Sequence, residues 1–238
     1  CSAMAMKHLG ETIDIHTGGE DNIFPHHENE IAQSEGANGK PFARYWIHAR
    51  HLLVDGRKMS KSAGNFYTVR DILDRGYSPQ VLRYALMSAH YRQSVNFTFE
   101  GLDAAKAAVA RLSDFHRRVK EGGADPSPEM DALCRNAATR FEEAMDDDLN
   151  ISEGLAAIFD FVRDANKLLD GADRGKPAAL AQLMKFDSLL GILEMAKAES
   201  IDAEVERLIA ERNAARAAKD FARSDAIRAQ LKAMGINL

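Results

Sequence analysis

From residue 102 onward, apolar residues return every three or four positions: Leu102, Ala105, Val109, Leu112, Phe115 and Val119. That spacing lines one face of an α-helix, and it cannot belong to a strand, whose faces alternate every two residues. The same period continues in Phe141/Met145, in Leu155/Ile158/Phe159/Val162 and in Leu180/Leu183/Met184, so this part of the chain is committed to a helical bundle. Gly122-Gly123 with the prolines at 126 and 128 marks a linker, and Gly171 to Lys176 a connecting loop. From Ile201 the sequence is rich in charge and alanine and reads as two helices broken near Lys219-Asp220, ending after Gly235. The stretch Glu129–Asp160 is acidic, and its run Asp146, Asp147, Asp148 reads as a solvated helix end.

The first hundred residues follow another pattern. Thr12 to His16 alternates apolar and polar and runs into Gly18-Gly19, as a strand entering a loop does. Pro25 precedes a breaker-free run from His26 to Gln33 that stops near Gly36 and Gly39, which predicts a short helix with histidines in its first turn. Tyr45 to Val54 predicts a second strand closed by the Asp55-Gly56 turn, followed by a polar loop from Arg57 to Asn65. Thr68 with Asp71 forms a capping box and Ser78-Pro79 an N-cap, so helices begin near 69 and 79. A length of 238 residues allows one large domain or two modest ones, and an α/β part followed by an all-α part makes two the default expectation.

Composition narrows the setting. No run approaches the ~20 apolar residues of a membrane span. Cys1 and Cys134 are the only cysteines, which fits a reducing cytoplasm, and the net charge of -5 disfavours indiscriminate binding to polyanions while leaving room for a local basic face. The chain begins with Cys1 rather than methionine and is expected to be a fragment.

Two clusters carry chemistry. In Phe24-Pro25-His26-His27-Glu28-Asn29-Glu30, residues four apart share a helix face, so His26 and Glu30 can offer an imidazole and a carboxylate to one zinc ion, with a thiolate from Cys1 on a neighbouring strand. The same spacing also suits polar residues on a helix surface. It is not a His-Glu-x-x-His metalloprotease site, because Ile31 stands where the second histidine would be. In Lys58-Met59-Ser60-Lys61-Ser62, two ammonium groups on a small-residue loop can wrap a polyphosphate, although a basic serine-rich loop can equally be a solvated one.

Taken together these blocks resemble a known family. Lys-Met-Ser-Lys-Ser at 58–62 is the signature loop of class I aminoacyl-tRNA synthetases. Cys-Ser-Ala-Met at 1–4, Phe-Pro-His-His-Glu-Asn-Glu-Ile-Ala-Gln-Ser at 24–34 and the signature continuing to Phe66 are similar to the cysteinyl-tRNA synthetases in particular. The likeness runs on through Met145 to Asn150 and ends with Asp220 to Arg228, so it covers nearly the whole chain.

The resemblance implies the C-terminal half of a Rossmann-type class I catalytic domain at 1–75, a connecting region and helical bundle at 76–197, and a truncated anticodon-binding region at 198–238. It implies zinc held by Cys1, His26 and Glu30 with a further cysteine upstream, and Lys61 and Lys58 as the catalytic contacts to ATP with Mg2+. Gly18, Gly19 and Asp21 would lie beside the nucleoside and His16 would face the cysteine substrate; Thr17 departs from the glycine found there in many members. No His-x-Gly-His motif occurs in the sequence, and the resemblance places it upstream with the first half of the nucleotide fold, so the chain alone is expected to be inactive. The activity implied for the intact protein is ATP-dependent formation of cysteinyl adenylate and transfer to tRNA(Cys), in the cytoplasm and away from membranes. Two other readings compete: a related cysteine ligase acting on an amino-sugar acceptor, against which residues 126–238 weigh, and a non-catalytic paralogue or fragment that binds RNA or a partner.

Overall fold

The computed structural model describes residues 1–60, 62, 64–121, 125–172, 174–193, 201–217 and 220–233, with the backbone alone at 201–206, 217 and 233. The chain divides into two compact units, Cys1–Leu193 and Glu194–Leu238.

The first unit opens with α1 (Ser2–Leu9), β1 (Ile13–Gly19), a 3-10 turn (Glu20–Asn22), a π-helical turn (Ile23–His27) and α2 (Glu28–Asn38). The peptide Phe24-Pro25 is cis. The predicted stop of α2 falls at Gly39, whose φ of 70° is the left-handed conformation that closes a helix and that glycine adopts without strain. Gly36 does not interrupt the helix. β2 (Ala43–Ala49) pairs with β1 in parallel, with His16 opposite Trp46 and Gly18 opposite His48.

The single strand expected from Tyr45 to Val54 is two. β2 ends at Ala49, and β3 (Leu53–Val54) belongs to a separate sheet of order β4-β3-β5, with β4 at Arg57–Lys58 and β5 at Asn96–Phe97. Asp55 (φ 49°) and Gly56 (φ 74°) make the two-residue turn of the β3–β4 hairpin, as the Asp-Gly pair predicts.

α3 (Val69–Asp74) starts at the reciprocal Thr68/Asp71 capping box, and α4 (Pro79–Met87) at Ser78, whose side chain accepts from the Val81 amide. α5 (Phe99–Lys120) buries all six residues of the periodic face. Its first half packs with Val54, Ile72, Val81 and Phe97. Its second half joins α6 (Pro128–Asp146), α7 (Ile151–Gly171) and α8 (Lys176–Leu190) in a larger core that contains Phe141, Ile158, Phe161, Leu183 and Phe186. Pro128 is the first residue of α6 rather than linker, while Gly122-Gly123 lies outside the described residues. Asp148 is more than a solvated helix end, because it pairs with Arg92 and Tyr91.

The second unit is a helical hairpin, α9 (Ile201–Ala217) and α10 (Phe221–Ala233), closed by Leu208, Ile227 and Leu231. Asp220 caps α10 by accepting from the Arg223 amide. Phe221 is exposed, and Lys219 and Gly235 lie outside the described residues. Among the described residues no helix is long and apolar enough to cross a membrane.

Candidate functional site

Residues on one face of the β1–β2 ladder make the floor of the site. Because side chains alternate along a strand, His16 and Gly18 of β1 point to the same side as their partners Trp46 and His48 of β2. His16 stacks on Trp46 with ring centroids 4.6 Å apart, and His48 stacks beside the same indole. Over this floor lie His27, at the end of the π-helical turn, and Glu30 in the first turn of α2.

Glu30 is buried, and the groups that meet its carboxylate are imidazoles. Oε2 accepts a hydrogen bond from His16 Nε2 at 2.7 Å, and Oε1 lies 3.7 Å from His26 Nε2, one helical turn away. Ligand atoms of Cys1, His26 and Glu30 all lie within 4.8 Å of one another, as do those of His16, His27 and Glu30. The expected zinc ligands are therefore brought together, and thiolate, imidazole and carboxylate are donors that zinc accepts in tetrahedral sites. Cys1, which precedes α1 rather than lying on a strand, and His26 are exposed while Glu30 is buried, so the first group opens to solvent. The second group is enclosed. Cys134 takes no part: it sits in the bundle core, where burial pushes its thiol up to about 11.

His16 meets Glu30 directly, an arrangement that orients a carboxylate ligand. Three residues of the cluster were not singled out in the sequence: His27, Trp46 and His48. His27 Nδ1 and His48 Nε2 are 2.8 Å apart, so one ring donates and the other accepts, which two protonated imidazoles could not do. Burial, and then the neighbouring His16, hold His27 below the usual histidine range. The Trp46-x-His48 alternation was a legible signal for one strand face, but which face met α2 required the parallel register.

The two glycines of the expected nucleoside loop have local partners. A Cβ on Gly18 would lie 2.6 Å from His27 Cε1, and one on Gly19 would lie 2.5 Å from Asp21 Oδ1. Their smallness therefore admits an imidazole and a carboxylate in this structure. Asp21 is exposed just beyond the C-terminal end of β1, the end of a parallel sheet where ligands gather. Lys58 is exposed at the end of β4, and Asn65 closes the base of the following loop by donating to the Lys58 carbonyl and accepting from the Ser60 amide. Lys61 lies outside the described residues.

Residues 1–107 match the family model of the tRNA synthetases class I (C) catalytic domain, residues 140–194 the DALR domain, and residues 198–237 the cysteinyl-tRNA ligase anticodon binding domain. The chain is 47% identical to a cysteine–tRNA ligase of Koribacter versatilis over 273 residues, covering all of this chain and 55% of that protein. It is 50% identical to that of Symbiobacterium thermophilum over 249 residues, again covering the whole chain and 53% of the relative. The chain thus spans about half the length of the curated relatives it matches. Among solved structures, the LeuRS of Agrobacterium radiobacter, in a ternary complex with tRNA and LeuAMS, superposes with a TM-score of 0.54 at 18% identity, covering 72% of this chain and 24% of that one, a likeness of fold alone.

Proposed function

The chain belongs to the cysteine–tRNA ligases, class I tRNA synthetases, and from this we propose that it carries the part of such a ligase that selects cysteine and closes over ATP. The observation that carries the proposal is the convergence of Cys1, His26 and Glu30. These residues would hold zinc, which when bound supplies a soft Lewis acid for a substrate thiolate. Thiol chemistry separates cysteine from serine and valine far better than an apolar pocket, which distinguishes near-isosteres by roughly 1–3 kcal/mol.

His16 keeps Glu30 Oε2 engaged, so that Oε1 is the oxygen turned toward His26. Asp21 would accept from ribose hydroxyls, and Gly19 leaves room for its carboxylate. Lys58, at the end of β4, and Lys61, three positions further along the sequence, would meet the phosphates of Mg2+-bound ATP and stabilise the charge that develops on pyrophosphate. The substrate's own carboxylate attacks the α-phosphorus, so the protein needs to position the reactants and stabilise charge rather than supply a covalent nucleophile. A free thiolate ligand suits the reducing cytoplasm.

Residues 198–237 favour tRNA over a small sugar as acceptor, since they match an anticodon-binding model. Within that unit Arg216 and Arg228 are exposed, whereas Glu211 sits between Arg207 and Arg223. Exposed arginines on a hairpin suit contacts to RNA phosphates.

The test uses a ligase of the relatives' full length that contains this chain. His26→Ala should lower both zinc content and cysteine-dependent pyrophosphate exchange, while deletion of 198–238 should spare exchange and impair tRNA charging. Unchanged exchange in the zinc-ligand variant, or unchanged charging after the deletion, contradicts the corresponding half of the proposal.

A further inference from the structure

The mechanism makes no use of a polar cluster that faces the helical bundle. The connector after α4 carries His90, Tyr91 and Arg92, and the turn between α6 and α7 carries Asp148. Arg92 donates to Asp148 from Nε at 2.5 Å and from Nη2 at 3.2 Å, the Tyr91 hydroxyl donates to the same carboxylate, and His90 Nε2 lies 3.9 Å away. Ser152, in the first turn of α7, donates to the Ser88 carbonyl at 3.2 Å and fastens the start of the same connector.

An exposed ion pair by itself stabilises little. This one sits on a turn in which Asp148 (φ 55°) and Leu149 (φ 57°) are both left-handed, a conformation that side chains other than glycine adopt at a cost and that persists where surrounding contacts impose it. The Arg92 and then the Tyr91 hydrogen bonds hold the Asp148 carboxyl down at about 2, so the carboxylate keeps its charge at any ordinary pH.

The connector is also bonded in the other direction. The Tyr91 carbonyl accepts from the Arg50 amide at 2.9 Å, and the Val95 carbonyl from the Leu53 amide at 2.8 Å. Arg50 is the residue after β2, two positions beyond His48, and His48 meets His27. A broad groove of about 1080 Å³ separates the outer face of β2, with Ile47 and Ala49, from α6 and α8, and Tyr91 and Leu149 both border it. We propose that Tyr91, Arg92 and Asp148 form a positioning clamp that fixes the end of β2 to the α6–α7 turn and thereby seats His48 against His27. The clamp sets the geometry of the site's floor from the bundle side and takes no part in chemistry.

The test is made on this chain by histidine-selective NMR together with amide hydrogen exchange. Arg92→Gln should shift the imidazole signals of His27 and His48 and accelerate exchange at the Arg50 amide by about tenfold through local opening. Arg92→Lys, which keeps the charge, should recover most of both effects. Asp148→Asn should resemble Arg92→Gln, since asparagine tolerates the left-handed backbone but loses the charge and one of the two acceptor oxygens that Arg92 and Tyr91 use. His116 on α5 should stay unmoved throughout, and Arg117→Gln, which breaks the ordinary surface pair with Asp114, should move none of these signals. If Arg92→Gln fails to fold, Tyr91→Phe, which removes one hydroxyl, carries the comparison. Unshifted His27 and His48 signals in the folded variants, or equal shifts in Arg117→Gln, overturn the clamp. Neither outcome bears on whether the intact ligase activates cysteine.

Discussion

Gly18 shows how little room the site leaves. Its residue type is set by the imidazole of His27, which occupies the volume a Cβ would need, with the nearest ring carbon 2.6 Å away. His27 cannot retreat freely, because it is buried and bonded to His48. Gly18→Ala is therefore expected to destabilise the first unit by about 1–3 kcal/mol, the usual cost of forcing atoms into a packed site. Urea unfolding followed by tryptophan fluorescence measures this directly, since Trp46 lies in the same cluster. A variant as stable as the parent would mean that His27 moves aside at no cost. Glu30 illustrates the complementary point. Its burial among imidazoles is intelligible if it serves as a ligand or is held by one, and hard to explain as helix-surface polarity.

Helices announced themselves in the sequence more plainly than strands did. The six buried positions of α5 are the six read from its period, and the caps read at Thr68 and Ser78 fall at the observed helix starts. These signals are local, written within one or two turns of chain. The break between β2 and β3 was not legible, because Tyr45 to Val54 is rich in aromatic and aliphatic residues with no glycine or proline to interrupt it, and the division is made by partners distant in sequence: β1 for one half and β5 for the other. For the same reason His48 went unremarked, although His26 and Glu30 were legible from their spacing of four. The capping box offers a measurable element-scale consequence. Thr68 accepts from the Asp71 amide while Asp71 accepts from Thr68, and α3 carries Ile72 into the smaller core. Thr68→Ala should cost about 1 kcal/mol of stability in chemical unfolding. A cost near zero would show that tertiary packing alone sets the start of α3.

At the scale of the molecule, α5 does the organising work in the first unit. One half packs beside the β3–β4 hairpin that leads into the signature loop, and the other half joins the bundle. The hairpin of α9 and α10 is a unit of its own, with its own small core. This arrangement suits a division of labour in which amino-acid selection resides in the first unit and contacts to tRNA in the second. Order along the chain made that division readable, whereas the meeting of Cys1 with α2 depends on α1 packing against that helix, where Ser2 donates to Gln33. The central claim is that this meeting creates a thiol-selecting metal site, and equilibrium dialysis of the chain against zinc tests it most directly. The chain and its Cys134→Ala variant are predicted to retain about one equivalent of zinc, and His26→Ala to bind it more than about tenfold more weakly. Absence of zinc binding by the parent chain, or equal binding by His26→Ala, would contradict the account.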